Sequence, residues 1–196
     1  MDSVKIIPGF TEDQRATAVE LFWQAFREKL HAVMGPEAKA RAFLTSVADP
    51  SHAISAVDES GTLLGIAGFK TADGAFIGGA VSDLITVYGL LGTVWRGPLL
   101  SMLERDLAAN VLLMDGIFVA DAARGQGIGT RLLQAIKEEA RNRKLGQVRL
   151  DVIDKNTRAR ALYEREGFVA GAVQQLGPFR HIFGFSSATT MIFDQH

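Results

Sequence analysis

The chain has 196 residues, 47% of them hydrophobic, with 21 basic and 22 acidic side chains and a formal net charge of −1. This length and balance fit a single globular domain with a sizeable core. The near-neutral charge leaves no basic footprint for nucleic acid and no polybasic patch for a membrane surface.

Cysteine is absent, which excludes disulfides, thiolate metal sites and cysteine nucleophiles. The four histidines show no metal-ligand spacing, so we expect no metal site. The N-terminal MDSVKIIPGF lacks the basic-then-apolar pattern of a signal peptide, so a cytoplasmic protein is expected.

In chain order, the N-terminal half predicts a strand, two helices and a β-hairpin. Thr11 is a typical N-cap, and apolar residues at helical spacing follow it until Gly35-Pro36 ends the first helix. The other predicted elements are the strand at residues 4–7, the second helix at 37–47 and the hairpin strands at 53–57 and 63–69.

The stretch at residues 84–103, LITVYGLLGTVWRGPLLSML, is almost long and apolar enough to span a membrane. Arg96 lies near its middle, however, and a central arginine costs about 2.5 kcal/mol or more in lipid. Three glycines and a proline also interrupt the run. We therefore predict two short helices here, buried or partly buried and ending near Leu107.

The C-terminal half alternates strands and helices. Residues 111–119, VLLMDGIFV, are the strongest strand candidate, and the glycine-rich RGQGIG that follows leads into an amphipathic helix. A strand at 148–153, a helix within 154–166, Gly167 as a helix C-terminus and two strands within 168–193 complete the chain. With no repeat or linker, one α/β domain spanning residues 1–196 is the simplest account.

RGQGIG leaves several interpretations open. A P-loop is excluded, because Thr130 and Arg131 follow Gly129 where that motif needs lysine. A dinucleotide fold needs glycine at position 130 and no spacer such as ADAAR after the strand. A bare tight turn and a CoA pyrophosphate site remain, since a helix N-terminus behind glycines is an anion site.

A set of motifs follows in fixed order between residues 115 and 168. RGQGIG is like Q/R-x-x-G-x-G/A, LDV comes after the helix, and Asn156 precedes ALYEREGF. This order resembles the GNAT superfamily of N-acetyltransferases. Many members carry a proline where this chain has Asp121, a departure that concerns the bend rather than the chemistry. The helical segment at about 82–107 exceeds the minimal fold and looks like an insertion.

The resemblance implies an α/β (α+β) acyl-CoA N-acyltransferase fold, a mixed central sheet with splayed central strands flanked by helices. It also implies acetyl-CoA as co-substrate. Asn156 has a second interpretation, as the N-cap of the next helix. The residues implied for acetyl-CoA binding are Ile117, Phe118, Val119, Arg124, Gly125, Gln126, Gly127, Ile128, Gly129, Thr130 and Asn156.

The same resemblance implies Tyr163 as general acid at the CoA sulfur, although a tyrosine on an amphipathic helix is otherwise a core residue. A backbone N–H near Ile117 is expected to stabilise the oxyanion. Asp151 is the first candidate for general base and Asp115 the second, followed by His181 or a water chain. Asp151 is equally explained by a capping or salt-bridge role.

The acceptor is left open by the sequence, as a primary amine on a small molecule or a protein. Five aromatic residues, Tyr88, Trp95, Phe179, Phe183 and Phe185, suggest an apolar wall for it, or else core or a homodimer surface. Two other functional hypotheses remain, a non-catalytic acyl-CoA-sensing module on this fold and a nucleotide-dependent oxidoreductase.

Overall fold

One mixed β-sheet carries the fold. The computed structural model describes residues 4–101, 107–177, 180 and 184–195. The strands are β1 (Lys5–Pro8), β2 (Ala53–Val57), β3 (Leu63–Thr71), β4 (Gly74–Ala75), β5 (Val111–Val119), β6 (Gln147–Ile153), β7 (Val169–Gln175) and β8 (Ser187–Asp194). The helices are α1 (Arg15–Met34), α2 (Glu37–Val47), α3 (Val81–Ser101), α4 (Ile128–Asn142) and α5 (Thr157–Arg165).

The strand order across the sheet is β1-β2-β3-β5-β6-β8-β7, with the short β4 paired to β3. Within the described ranges, β5 and β6 form the only parallel pair, and the other pairs are antiparallel. A doubly wound dinucleotide-binding sheet is mostly parallel. The strand directions therefore rule out the dinucleotide interpretation of the glycine-rich loop.

Helices cover both faces of the sheet. On one face, α1, α2 and α3 pack around a core that includes Trp23, Phe76 and Phe118. On the other face, α4 and α5 pack over β5 and β6. The apolar positions of α4 recur every three or four residues, so one face of that helix is buried. The central strands are thus covered on both faces, whereas β7 at the edge of the sheet is exposed.

Several predicted elements match the structure. α2, β2 and β5 have the predicted bounds, and β2 and β3 form the predicted hairpin. Gly167, with φ 87°, ends the α5 segment as predicted. Its left-handed conformation lets the N–H of the next residue, Phe168, donate a hydrogen bond to the carbonyl of Tyr163. α5 starts at Thr157, within the predicted range, because Asn156 occupies the N-cap position.

The insertion forms the two helices that its glycines and proline predicted. The range of α3 includes both, joined across a kink at Gly89 (φ 72°, ψ 169°), and the second helix continues through Gly92 and Pro98. Packing of Leu84 and Leu100 against α1 and α2 outweighs the weak helix propensity of those residues. Residues 102–106, the end of the predicted insertion, lie outside the described residues.

α3 is partly buried, which agrees with the prediction, and part of its apolar surface is exposed. Leu90, Leu91 and Val94 are more than half exposed. The charge of Arg96 has polar and aromatic partners. Its guanidinium lies 4.3 Å from the ring centre of Tyr88 and donates to the carbonyl of Gly35 at 2.8 Å. In the described part of the chain, every helix falls short of the length and apolar character that a membrane crossing requires.

Candidate active site

A β-bulge in β5 marks the start of the site. On the paired strand β3, Gly68 lies opposite Gly116 and Phe69 lies opposite Met114, so Asp115 is the extra residue of the bulge. The bulge reverses the alternation of side chains. Met114 and Ile117, three residues apart, therefore pack against the same core cluster.

β5 and β6 separate just before this bulge. Their parallel register ends at Leu113 opposite Arg149, yet β5 runs on to Val119 along β3 and β6 runs on to Ile153 along β8. Each strand thus presents a backbone edge to the gap. Backbone N–H and C=O groups in such a position need hydrogen-bonding partners. An extended ligand that carries amides meets that need as an added strand does.

A large cavity, about 1400 Å³, includes this gap. It brings together six of the fourteen candidate residues from separate elements: Asp115, Ile117 and Phe118 from β5, Asp151 from β6, and Asn156 and Tyr163 at α5. Its other side is formed by the helices of the α1–α3 face. Across the described ranges, no cluster of three or more acidic or histidine side chains is arranged to hold a metal ion.

Tyr163 lies in the second turn of α5 and is buried, with 7% of its surface exposed. Its ring packs 5.9 Å from that of Phe168. Burial raises the pKa of the Tyr163 phenol from 10.0 to about 12. The hydroxyl therefore stays protonated throughout the neutral range and is available as a proton donor.

Asp151 lies on the opposite face of β6 from the core that α4 and α5 cover. Its neighbours Leu150 and Val152 point into that core, whereas Asp151 lines the cavity. The hydroxyl of Thr190 on β8 donates to Oδ1 of Asp151 at 2.7 Å. The Thr190 hydroxyl thus holds the Asp151 carboxylate in place. The sequence carries no signal for this contact, because the two residues are 39 positions apart in the chain.

The glycine-rich loop adopts the open conformation that its glycines predicted. Gly125 and Gly127 have φ of 81° and 77°, in the left-handed region, and a Cβ on either would meet no atom within 4 Å. The first bond of α4 runs from the N–H of Arg131 to the carbonyl of Gly127. The N–H groups of residues 128–130 come before this first bond in the helix, so they point outward at its N-terminus. Gly129 differs, since it has ordinary φ and a Cβ added to it would lie 3.4 Å from the side chain of Leu162.

Arg124 is held beside the loop by a local network. Its Nη2 lies 2.7 Å from Oδ1 of Asp121, and its Nε donates to the carbonyl of Val119 at 3.3 Å. The aspartate at the position of the family's proline thus pairs with this arginine. Gln126 similarly donates to the carbonyl of Ala122 at 3.4 Å. Both long side chains are exposed around the helix N-terminus.

Asn156 is the N-cap of α5. Its side-chain oxygen accepts from the N–H of Ala159 at 3.2 Å, which confirms the capping interpretation. The residue also lines the cavity. A cap engages the carboxamide oxygen, whereas a bound cofactor would be met by the carboxamide nitrogen, so the two roles are compatible.

The predicted aromatic wall is only partly present. Phe185 lines the cavity, whereas Tyr88 is a buried core residue whose hydroxyl donates to the carbonyl of Met34 at 2.6 Å. Trp95 is 45% exposed, stacks with Arg96 and does not line the cavity. The remaining members of the predicted wall, Phe179 and Phe183, and the third base candidate, His181, lie outside the described residues.

The wall that the structure shows comes instead from the N-terminal helices. Phe22 and Phe26 of α1 lie with their ring centres 5.5 Å from that of Phe118 on β5. Apolar residues of α3, among them Leu90 and Val94, form the outer side. Helical periodicity showed that these residues share a face but not that the face borders a cavity.

Comparisons with known proteins agree with this geometry. Residues 16–168 match the model of the acetyltransferase (GNAT) family. A mouse protein, thialysine N-epsilon-acetyltransferase, is 36% identical over 90 residues, which cover 44% of this chain and 46% of that protein. Its cattle counterpart is 41% identical over 58 residues, 30% of this chain and 34% of that protein. The chain thus spans less than half the length of the curated relatives it matches.

Solved structures share the fold. A GCN5-related N-acetyltransferase from Kribbella flavida superposes with a TM-score of 0.64 at 17% identity, over 98% of both chains. The ribosomal-protein-S18-alanine N-acetyltransferase of Escherichia coli gives 0.56 at 16% identity, over 98% of this chain and 94% of that one. With parted central strands, a glycine-rich loop before α4 and a family match over most of its length, this chain belongs to the GNAT family of acetyltransferases.

Proposed function

We propose that this protein transfers the acetyl group of acetyl-CoA to a primary amine by direct attack. One observation carries the proposal: the gap between β5 and β6 opens into a cavity that Tyr163 and Asp151 both line. An acyl carrier that fills the gap places its thioester near a proton donor and a carboxylate. The family match supports this activity.

The loop and the strand edge supply the acetyl-CoA site in this proposal. The N–H groups of Ile128, Gly129 and Thr130, at the positive end of α4, bind the pyrophosphate. Open space at Gly125 and Gly127 lets that anion approach the backbone. Arg124 and Gln126 flank it with exposed donors. The backbone of residues 117–119 pairs with the pantetheine amides, and the side-chain nitrogen of Asn156 donates to the same arm.

The chemical step needs a neutral amine, a stabilised oxyanion and a protonated leaving group. The nitrogen lone pair attacks the thioester carbonyl, and the negative charge that forms on oxygen is met by a backbone N–H at Ile117. The C–S bond then breaks, and the hydroxyl of Tyr163 gives its proton to the CoA sulfur. The proton lost by the amine passes to the general base, which leaves an amide and CoA.

Asp151 is our first choice as that base. It lines the cavity, and the Thr190 hydroxyl fixes the direction of its carboxylate. Asp115 is the second choice, because the bulge turns it into the same cavity at the start of the gap. A carboxylate within a largely apolar surrounding is costly to bury, so two of them lining one cavity favour a functional role.

The relatives bear on the acceptor only in part. The mouse and cattle proteins are named for the N-epsilon acetylation of thialysine. Their matched segments cover less than half of either protein, so thialysine enters our proposal as one member of the amine panel to be tested. The acceptor that we propose is a primary amine, carried by a small molecule or by a protein.

A CoA-release assay across a library of primary amines tests the proposal, with acetyl-CoA binding measured in parallel by calorimetry. We expect turnover with at least one amine and binding of acetyl-CoA in preference to NAD. Tight acetyl-CoA binding with no turnover of any amine would instead support an acyl-CoA-sensing module.

A further inference from the structure

We infer that the donor site also accepts acyl-CoA thioesters with an apolar chain of medium length, such as octanoyl, besides acetyl-CoA. The inference rests on the proposed transfer from CoA and extends the class of donor for that same site. It follows from the place where the gap between β5 and β6 begins, from the apolar wall that starts there, and from the size of the cavity.

The glycine-rich loop and the edge of β5 set the direction in which the donor lies. In the proposed site, the pyrophosphate is at the N-terminus of α4 and the pantetheine arm runs from there along residues 119 to 117 of β5. The thioester then lies toward the start of the gap, where the pairing of β5 with β6 ends at Leu113 and Arg149. The carrier arm is behind the thioester, so an acyl chain extends from it into the cavity ahead.

The apolar wall of the cavity begins on β5 itself. Phe118 lines the cavity, and its ring centre lies 5.5 Å from those of Phe22 and Phe26 on α1. A Cβ added to Gly116 would lie 2.9 Å from the Phe118 ring, so this ring folds back over the strand. Leu30 of α1 lines the cavity as well. A chain that leaves the thioester beside β5 therefore meets aromatic and aliphatic side chains.

The cavity is also larger than an acetyl group requires. Its volume of about 1400 Å³ exceeds the roughly 300–1000 Å³ that is usual for drug-sized ligands. Leu90 and Val94 of α3 line it and are each 67% exposed, although both are apolar. An alkyl chain that lies against α1 and α3 would cover this surface, and the burial would stabilise the complex.

Polar side chains on the other side of the gap favour the donor chain over the acceptor as the occupant of this wall. Asp151 on β6, Asn156 at the start of α5, and Gln174 and Gln175 on β7 all line the cavity. These strands lie on the β6 side of the gap, away from β5 and its aromatic contacts. An amine finds hydrogen-bonding partners on this side, which leaves the apolar wall to the acyl chain.

The chemical step is the same for every chain length. The amine nitrogen forms the new C–N bond with the thioester carbonyl carbon, and the C–S bond breaks. The CoA sulfur takes the proton of Tyr163, and the general base takes the proton that the amine loses. Proton exchange with water then restores Tyr163 and the base. The products are CoA and an amide that carries the longer chain.

A series of donors tests the inference without any acceptor. Calorimetric titrations compare acetyl-, butyryl-, hexanoyl- and octanoyl-CoA. We expect affinity to rise about two- to fourfold for each added methylene, and so at least about 60-fold from acetyl to octanoyl, because each methylene leaves water. 2-(2-Ethoxyethoxy)acetyl-CoA has a chain of the same length with two ether oxygens and should lose most of this gain. Equal affinity across the series would overturn the inference.

A pair of α3 variants tests the location. Val94→Asn makes the cavity wall polar, and valine and asparagine have similar helix propensities. We expect it to lower the affinity for octanoyl-CoA about fivefold and to leave that for acetyl-CoA unchanged. Leu91 is 87% exposed and is not among the described residues that line the cavity. Leu91→Asn should therefore change neither affinity. Equal effects of the two variants would show that the chain does not contact α3 and would overturn the inference.

Turnover separates this inference from the acetyl transfer itself. With an amine that acetyl-CoA converts, octanoyl-CoA should release CoA with a kcat/KM at least equal to that of acetyl-CoA. Tight binding of octanoyl-CoA without transfer from any donor would uphold the apolar site and overturn the proposed transfer. Transfer from acetyl-CoA alone, with octanoyl-CoA bound no more tightly or only as an inhibitor, would uphold the transfer and overturn the inference.

An acceptor series identifies the other possible occupant of the wall. Butylamine and hexylamine, each with acetyl-CoA as donor, should give kcat/KM values within about twofold of each other, because the acyl chain and not the amine meets the apolar wall. A rise of kcat/KM with amine length, together with equal affinity for all acyl chains, would assign the wall to the acceptor and overturn the inference.

Discussion

The hydroxyl of Thr190 on β8 donates a 2.7 Å hydrogen bond to Oδ1 of Asp151, directly opposite it on β6. This bond sets the direction of the carboxylate within the cavity. We expect Thr190→Val to lower kcat about tenfold with the KM for acetyl-CoA unchanged, since a hydrogen bond to a charged group contributes about 1.5 kcal/mol. Steady-state kinetics with the best amine measures this.

Two further variants control for that experiment. Thr190→Ser keeps the hydroxyl and should restore most of kcat. Thr189→Val removes the neighbouring hydroxyl, which is buried on the other face of β8, and should leave kcat unchanged. A Thr190→Val enzyme with full activity would show that Asp151 does not need this partner to act.

Tyr163→Phe removes the proposed acid and keeps the ring against Phe168. We expect kcat to fall by about 100-fold or more, because general acid catalysis typically contributes that much. Acetyl-CoA affinity, measured by calorimetry, should stay within about twofold of the parent, since the hydroxyl acts on the leaving sulfur. An equal loss of affinity and turnover would indicate a role in binding instead.

The raised pKa of Tyr163 has a consequence for stability. The folded-state pKa of about 12 lies above the ordinary 10.0, so the folded protein holds this proton more tightly than the unfolded chain. The resulting contribution to the free energy of unfolding is present in full below pH 10 and is lost as pH rises from about 10 to about 12. Its full size is up to about 3 kcal/mol.

Denaturant unfolding of the parent and of Tyr163→Phe at a series of alkaline pH values measures this effect. The variant lacks the titrating group, whereas Tyr88 is present in both proteins. The parent should therefore lose stability relative to the variant above about pH 10. A stability difference that stays constant over this range would contradict a buried, neutral Tyr163.

Gly127→Ala tests the anion site at the α4 N-terminus. With φ of 77°, an alanine is strained by roughly 1 to 2 kcal/mol, and its Cβ occupies the open space that faces the proposed pyrophosphate. We expect acetyl-CoA affinity to fall at least about tenfold, beyond this loss of stability. Gly61→Ala, in the hairpin turn with φ of 85° and equally open space, should lose similar stability and bind acetyl-CoA normally.

Asn156 variants separate capping from cofactor binding. Asn156→Ser keeps an N-cap oxygen for α5, so stability should change by less than about 0.5 kcal/mol. It lacks the carboxamide nitrogen, so acetyl-CoA should bind about three- to tenfold more weakly. Asn156→Ala loses the cap as well and should cost about 1 kcal/mol of stability. Unchanged affinity in the serine variant would assign Asn156 to capping alone.

Local patterns in the sequence were enough to predict much of the fold. The β-branched and apolar run of β5 and the apolar spacing of α4 are signals that neighbouring residues carry by themselves. Gly167 likewise ends a helix through its own backbone freedom. For the same reason the glycine-rich loop could be recognised as a candidate anion site, although not as a site for one particular ligand.

The insertion shows what local signals left open. They predicted two helices, but the break falls at Gly89 and the second helix continues through Gly92 and Pro98, because its packing on α1 and α2 is a non-local stabilisation. The exposure of Leu90 and Val94 could not be foreseen either, since it depends on the cavity that those helices enclose.

The sequence by itself determined which segments are helices and strands, where the glycine-rich loop lies and that Asn156 and Tyr163 belong to one motif. Only the tertiary structure decided that Asp115 is a bulge, that β5 and β6 part after Leu113, and that Thr190 holds Asp151. The physical reason is that strand register and cavity shape arise from contacts between residues far apart in the chain, whereas periodicity and capping act between neighbours.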